Sequence, residues 1–326
     1  SVKEKTVKAN QIWDLSVHHE QWGLDYKDDL YTVINIDTLI LEPGAKVVIQ
    51  GNVLTLSCQN VIRLGQASSD YDIAILPTPF SVDRRKGEFH GLSGKAGQLG
   101  RNGHHGLSCD VEASIFGPRW VNREVEDKLD GESGCMGTNG QNGCHGLNGG
   151  VVKLAEIYIN HLVGFEKTKL RIFTQAGKGG NGGNGGNGGA SGKGGDGGEG
   201  VELAQLSISP GSGAQGGAGG LGGRGGRAGN GGISSNIFIE VPQTLVEHVK
   251  VTALSSESGK PGTGGAGGVG AVGGQAANGS RLYQGCNGLN GVDGQPGNAG
   301  KSRPAGRVFI NSKPYDSYSS SQGTRG

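Results

Sequence analysis

Glycine recurs with a three-residue period through six separate stretches of this chain, and no other feature constrains the fold as tightly. The register holds from Gly91 through Gly94, Gly97, Gly100 and Gly103 to Gly106, and again from Gly131 to Gly149. Further runs at 177–200, 211–232, 259–274 and 285–300 carry the same spacing. Glycine-rich linkers are flexible coils that need no register, so position says more here than the count of 68 glycines in 326 residues. Collagen is excluded as the main architecture, because 10 prolines fall far short of the ~15% or more that a triple helix carries.

A three-residue period matches the left-handed extended helix, which has no internal hydrogen bonds. Each buried N–H and C=O must then find its partner on an adjacent strand of chain, so one run cannot stand alone but six side by side can. With proline scarce, the expected form is a polyglycine-II bundle, in which a run of 16 residues spans about 50 Å. The runs at 91–106, 131–149 and 285–300 are Gly-x-x, bare on one edge. The other three are mostly Gly-Gly-x, bare on two edges, and are expected inside. The remaining edge of the third run (Lys178, Asn181, Asn184, Asn187, Ala190, Lys193, Asp196, Glu199) is polar and is expected to face water. The matching row of the fifth run, Thr263, Ala266, Val269 and Val272, is expected to be covered or to bind something.

The segments between runs read differently. Residues 33–64 hold short β-branched stretches such as Val47-Val48-Ile49 and Val53-Leu54-Thr55-Leu56, split by Glu42-Pro43-Gly44 and Gly51-Asn52, which is the pattern of strands and turns. Strand pairs recur before alternate runs: 53–62 with 73–76, 151–159 with 170–174, and 237–241 with 249–254, while 307–310 resembles half a further pair. The expected unit, repeated three times, is a strand pair, a glycine run outward, a tip connector and a run back. The fold class is therefore mainly β and irregular: a polyglycine-II bundle of six runs alternating with β-strand pairs, with a β-sheet or β-solenoid-like part at the N-terminal end. The expected divisions are an N-terminal β part at 1–64 that includes a docking region, the bundle with interleaved strands at 65–310, and a tail at 311–326. The tips fall at 107–130, 199–215 and 275–284.

The triplets Gly134-Cys135-Met136-Gly137-Thr138-Asn139-Gly140 and the repeats Gly180-Asn181-Gly182-Gly183-Asn184-Gly185 resemble springtail antifreeze proteins and the tip adhesins of T-even-like phage long tail fibres. Both groups pack polyglycine-II helices in layers. The resemblance to the adhesins implies that loops at the bundle tip bind an outer-membrane protein or glycan, while an aromatic N-terminal part docks on a fibre. Trp13 and Trp22 would fill that docking role. The resemblance to the antifreeze proteins implies an ice-binding face, but the charged third run and Arg224 and Arg227 in the fourth leave only the short row Thr263–Val272 suited to ice.

Other chemistry finds little support in the residues. A net charge of +1 argues against a nucleic-acid footprint. No stretch approaches the ~18 apolar residues of a membrane span, and Ser1-Val2-Lys3-Glu4-Lys5 holds no apolar signal region. Gly300-Lys301-Ser302 resembles the end of a phosphate-binding loop, but Gln295 stands where its first glycine belongs, and neither the leading strand nor the following helix is present. His90, His104, His105 and His145 flank the first two runs and could meet at a metal, although exposed imidazoles on run edges is the simpler reading. Cys135 and Cys144 stand at equivalent triplet positions, about 28 Å apart at the helix rise of ~3.1 Å, so they cannot pair with each other. The other cysteines are Cys58, Cys109 and Cys286. Asn278-Gly279-Ser280 matches a glycosylation sequon.

Aromatics are scarce, at 5%, so their placement carries weight. Phe116, Arg119 and Trp120 in the first tip, with Arg281 and Tyr283 in the third, are of types enriched at binding hot spots; Phe116 and Trp120 equally suit a plug at the bundle end. The expectation is a non-enzymatic adhesin or receptor-binding module, without cofactor or metal. It would act outside the cell or on a virion surface and contact a cell-surface protein or glycan, in association with a fibre or filament and without nucleic acid or membrane insertion. A filament or coat subunit is the second expectation and an ice-binding protein the third.

Overall fold

The computed structural model describes residues 2–18, 29–65, 70–78, 89–203 and 206–315. It is mainly β and irregular, and the helices among the described residues are short 3-10 turns. No helix there is long and apolar enough to cross a membrane.

The chain begins as a coil of paired strands. Strands β1 (Val2–Val7), β2 (Ile12–Asp14), β3 (Tyr31–Leu41), β4 (Lys46–Gln50), β5 (Val53–Arg63) and β6 (Ile73–Leu76) fall alternately in two sheets. After two long excursions, β9 (Ala155–Val163) with β10 (Leu170–Gln175) and β13 (Ile237–Glu240) with β14 (Val249–Leu254) add further turns of the coil. The first sheet runs β1-β3-β5-β9-β13 and then β15 (Val308–Ile310) and β16 (Lys313–Pro314). The second runs β14-β10-β6-β4-β2. All neighbours are parallel except β15 and β16. The strands expected in the N-terminal part therefore share both sheets with those that follow. At the other end, Asn311 and Ser312 take φ of 49° and 61° in a turn that folds β16 back along the edge of β15.

Parallel sheets are buried on the faces that meet, and the alternation of strands delivers that face. In β10, Leu170, Ile172 and Thr174 point inward and Arg171, Phe173 and Gln175 outward. The core gathers Leu54, Leu56 and Val61 of β5, Ile73 and Ile75 of β6, Ile157 and Ile159 of β9, and Ile237 and Ile239 of β13. Each such side chain contributes about 1.5–3 kcal/mol by leaving water. At one corner of the coil, Asp72 forms a buried ion pair with Arg63. Arg63 Nη1 also donates to Thr168 Oγ1 at 2.6 Å, and its guanidinium lies 4.1 Å from the centre of the Phe165 ring. Removing the Asp72 carboxylate would strand the Arg63 guanidinium away from water, typically a loss of ~3–5 kcal/mol.

The glycine runs leave the coil after β6, β10 and β14 and return to β9, β13 and β15. The outgoing first, third and fifth runs form one parallel layer, joined by bonds such as Gly97 N–H to Asn187 O and Gly185 N–H to Thr263 O, 2.7 and 2.8 Å. The returning second, fourth and sixth form another, joined by bonds such as Gly140 N–H to Leu221 O at 2.8 Å and Gly222 N–H to Val292 O at 2.9 Å. The layers cross-link antiparallel, as where Gly189 N–H donates to Thr138 O at 2.8 Å and Gly220 N–H to Gly189 O at 2.9 Å. The third and fourth runs each bond to four others, the first and sixth to two. That ranking matches the glycine patterns of these four runs, while the second, Gly-x-x, and the fifth, Gly-Gly-x, each bond to three. A Cβ on Gly188 would collide with the Gly220 carbonyl, and one on Gly189 with the Gln98 carbonyl, so the third run must be bare on two edges. The outer runs, bare on one, turn two rows of side chains outward.

A second regularity ties runs within a layer. Asn184 Oδ1 accepts from Thr263 N–H at 3.0 Å while the next residue, Gly185, donates to Thr263 O at 2.8 Å. Asn142 with Gly143 grips Arg224 in the same way, and Asn102 with Gly103 grips Lys193. His90, His105 and His145 use Nδ1 as the acceptor toward Asn181, Asp196 and Arg227. A short acceptor followed by glycine thus clamps both backbone groups of one residue on the neighbouring run. Without it the outward N–H would have water as its only partner.

Substitution separates the two edges of a run. Gly189→Ala, aimed at the Gln98 carbonyl, is expected to cost about 3 kcal/mol or more, whereas Ala190→Ser, on the open row, stays within about 0.5 kcal/mol of the parent. Urea denaturation of the two variants measures the difference.

Candidate functional site

The three outer connectors meet at the far end of the glycine layers. In the first, strands β7 (Val111–Ser114) and β8 (Gly117–Trp120) form a hairpin. Ser114 Oγ accepts from Phe116 N–H at 3.2 Å and donates to Gly117 O at 2.8 Å. Gly117 sits at φ +105°, in the region that favours glycine. The turn holds Ile115 and Phe116 out in water, both 94% exposed. In the second connector β11 (Val201–Leu203) pairs with β12 (Leu206–Ile208). In the third, Ser280 Oγ accepts from Leu282 N–H at 3.3 Å and starts the turn Arg281–Tyr283, which leaves Leu282 90% exposed.

Trp120 goes the other way. It is buried against Leu129, Val201 and Ile208, and its Nε1–H donates to Asn122 Oδ1 at 2.9 Å. The same oxygen accepts from Asp110 N–H at 2.7 Å, and Asn122 Nδ2 donates to Ser108 O at 2.9 Å. Trp120 is therefore the plug that locks the first connector onto the second, and it offers no surface to a partner. Phe116, Arg119 and Arg281 are exposed and Tyr283 is 57% exposed. Trp13 lies on β2 at the edge of the second sheet, half-buried, with the Lys5 ammonium 5.0 Å from its ring centre. Trp22 lies outside the described residues.

Between the connectors opens a cleft of about 610 Å³. Glu126, Asp127 and Asp130 come from the first connector, Ser209 and Pro210 from the second, and Asn278 and Tyr283 from the third. Of the aromatic and arginine residues expected at the tips, Tyr283 alone lines it. The carboxylates give it acidic character: the Cys109 thiol nearby is pushed up first by burial and then by the charges of Asp110 and Glu126. Asp130 Oδ1 is engaged, accepting from Ser212 N–H at 2.7 Å. The carboxylates were not legible as a group beforehand, because acids in a loop carry no spacing signal. What gathers them is the 3-10 turn Arg123–Lys128, seated by the buried Val125.

Among the described residues no set of three or more His, Cys, Asp or Glu side chains could hold a metal ion; His90, His105 and His145 are spent on the clamps. All five cysteines are free. Comparison with protein-family models, with curated proteins and with solved structures finds no match to this chain.

Thiol chemistry checks this arrangement. Cys135, Cys144 and Cys286 are exposed, while burial pushes the Cys58 thiol to about 12. Only thiolate attacks, so maleimide at neutral pH is expected to label the three exposed cysteines in the native protein and to reach Cys58 only after unfolding, as read by peptide mass spectrometry.

Proposed function

We propose that this protein is a non-enzymatic recognition module, adhesin-like, in which the glycine runs are polyglycine-II helices that form a stiff spacer and the connectors at its end contact a cell-surface protein or glycan. The observation that carries this reading is that Ile115, Phe116 and Leu282, the most exposed large apolar side chains among the described residues, all stand on connectors of one end, the end that also holds the cleft. Isolated exposed apolar residues are ordinary on a surface; large ones held out on hydrogen-bonded turns beside a concave site fit an interface. The three-residue period, the bonding between runs and the lack of helix or strand within them support the polyglycine-II form. Such a rod would keep the contact surface clear of the coil, in keeping with a place outside the cell or on a virion.

A filament or coat subunit is the second reading. It is favoured by the edges of β1 and β2, which end the two sheets on the same side without a described partner strand, an arrangement open to pairing with another chain.

Binding of the labelled protein to intact cells and to arrays of outer-membrane proteins and glycans tests the first reading. Phe116→Ser combined with Leu282→Ser is expected to weaken binding about tenfold or more with the melting temperature unchanged. Equal binding by parent and variant would overturn it, and concentration-dependent assembly in sedimentation without cell binding would favour the filament.

A further inference from the structure

The outward face of the second sheet carries a groove of about 330 Å³, on an element separate from the connectors and independent of them. Strand register builds it. Arg171 and Phe173, the outward residues of β10, lie opposite Lys250 and Thr252 of β14. Asp70 and Tyr71, just before β6, complete the lining. The Tyr71 ring stacks on Phe173 with centroids 5.6 Å apart, and the Lys46 ammonium lies 4.7 Å from the centre of the Tyr71 ring. The groove is thus an aromatic floor with two cations at one end.

Arg171 is the informative member. Its nearest carboxylate, Asp72, is already taken by the Arg63 guanidinium and by the Arg171 backbone N–H at 2.8 Å. Arg171 Nε stands 3.8 Å from that carboxylate, beyond hydrogen-bond length. Nε and Nη2 are covered on the Asp72 side and have no hydrogen-bond partner among the described residues, while the side chain as a whole is 27% exposed and lines the groove. The part of Arg171 that is open to the groove carries the positive charge, and a guanidinium suits the paired oxygens of a carboxylate or sulfate. Lys250, exposed on the next strand at the same level, adds a second positive charge. Phe173 offers a flat apolar surface beside them, and Asp70 and Thr252 can exchange hydrogen bonds with hydroxyl groups.

We propose that this groove binds an acidic sugar residue, a pyranose bearing a carboxylate or sulfate. The anion sits between Arg171 and Lys250, the ring's C–H face lies against Phe173, and ring hydroxyls meet Asp70 and Thr252. The Asp70 carboxylate and the chain's net charge of +1 disfavour a nucleic-acid polyanion, which gains affinity from many cations at once.

Titration calorimetry of the full chain against four probes tests the assignment: a hyaluronan hexasaccharide for carboxylate, a heparin hexasaccharide for sulfate, a neutral chitin hexasaccharide, and single-stranded DNA of six nucleotides. One or both acidic saccharides are expected to bind at least about tenfold more tightly than the neutral one, the difference of one charge-assisted pair, and which of them binds identifies the anion. Lys250→Gln and Phe173→Leu are each expected to weaken that binding about fivefold or more with an unchanged melting temperature. Arg171→Gln is expected to abolish it, and the other two variants keep the test valid if Arg171→Gln does not fold. The Phe116→Ser, Leu282→Ser protein is expected to bind the saccharide as the parent does, which separates this groove from the connector end. Equal affinity for the neutral saccharide, tighter binding of DNA, or indifference to Lys250→Gln and Phe173→Leu would overturn the proposal.

Discussion

Everything in this fold depends on the hydrogen bond between one glycine run and the next. A run in this conformation has no partners within itself, so each of its N–H groups either finds a carbonyl on a neighbour or is lost to water. The neighbours can come close enough only where no Cβ stands between them. Gly189 and its equivalents are therefore not sites of flexibility; they are the positions at which two backbones touch. The usual entropic penalty of glycine is offset by a lattice in which the third and fourth runs are each held by four others.

The coil of strands and the glycine layers need each other. The coil supplies the apolar core that the runs lack, and it starts each outgoing run in register, since β6, β10 and β14 lie at successive levels of the sheets. In return the paired runs close each excursion, so that the chain re-enters at the next level. Bonds at the junction, Thr78 N–H to Val151 O at 2.8 Å and Gly177 N–H to Gly150 O at 2.9 Å, tie the sheets to the start of the layers. The connectors then fall together at the far end, where Trp120 and Val201 join two of them and leave a cleft among all three.

Much of this was legible in the residues. The alternation at Val53-Leu54-Thr55-Leu56 and the β-branched stretches before alternate glycine runs read directly as strand pairs, because side-chain alternation is a local signal. What stayed hidden was non-local. Nothing in 1–64 distinguishes a separate small sheet from the first turns of a longer coil, since the pairing of β5 with β9 spans the whole first excursion. The direction of Trp120 was open for a similar reason: its burial depends on Val201 and Ile208, which lie on another connector. The Asn-Gly and His-Gly pairs were visible as composition, but their meaning requires knowing which run lies alongside. The carboxylates of Glu126, Asp127 and Asp130 become a group only when the second and third connectors close around them, and Arg171 becomes distinctive only once Asp72 is seen to be occupied by Arg63.

The most direct measurement is amide hydrogen exchange across residues 177–198 and 211–232, followed by mass spectrometry of overlapping peptides. If these runs are held by one another, their amides exchange as slowly as those of β10 and far below the rate of an unstructured glycine peptide. Exchange at the unstructured rate, with β10 still protected, would contradict the account, because the runs would then be free loops on a folded coil.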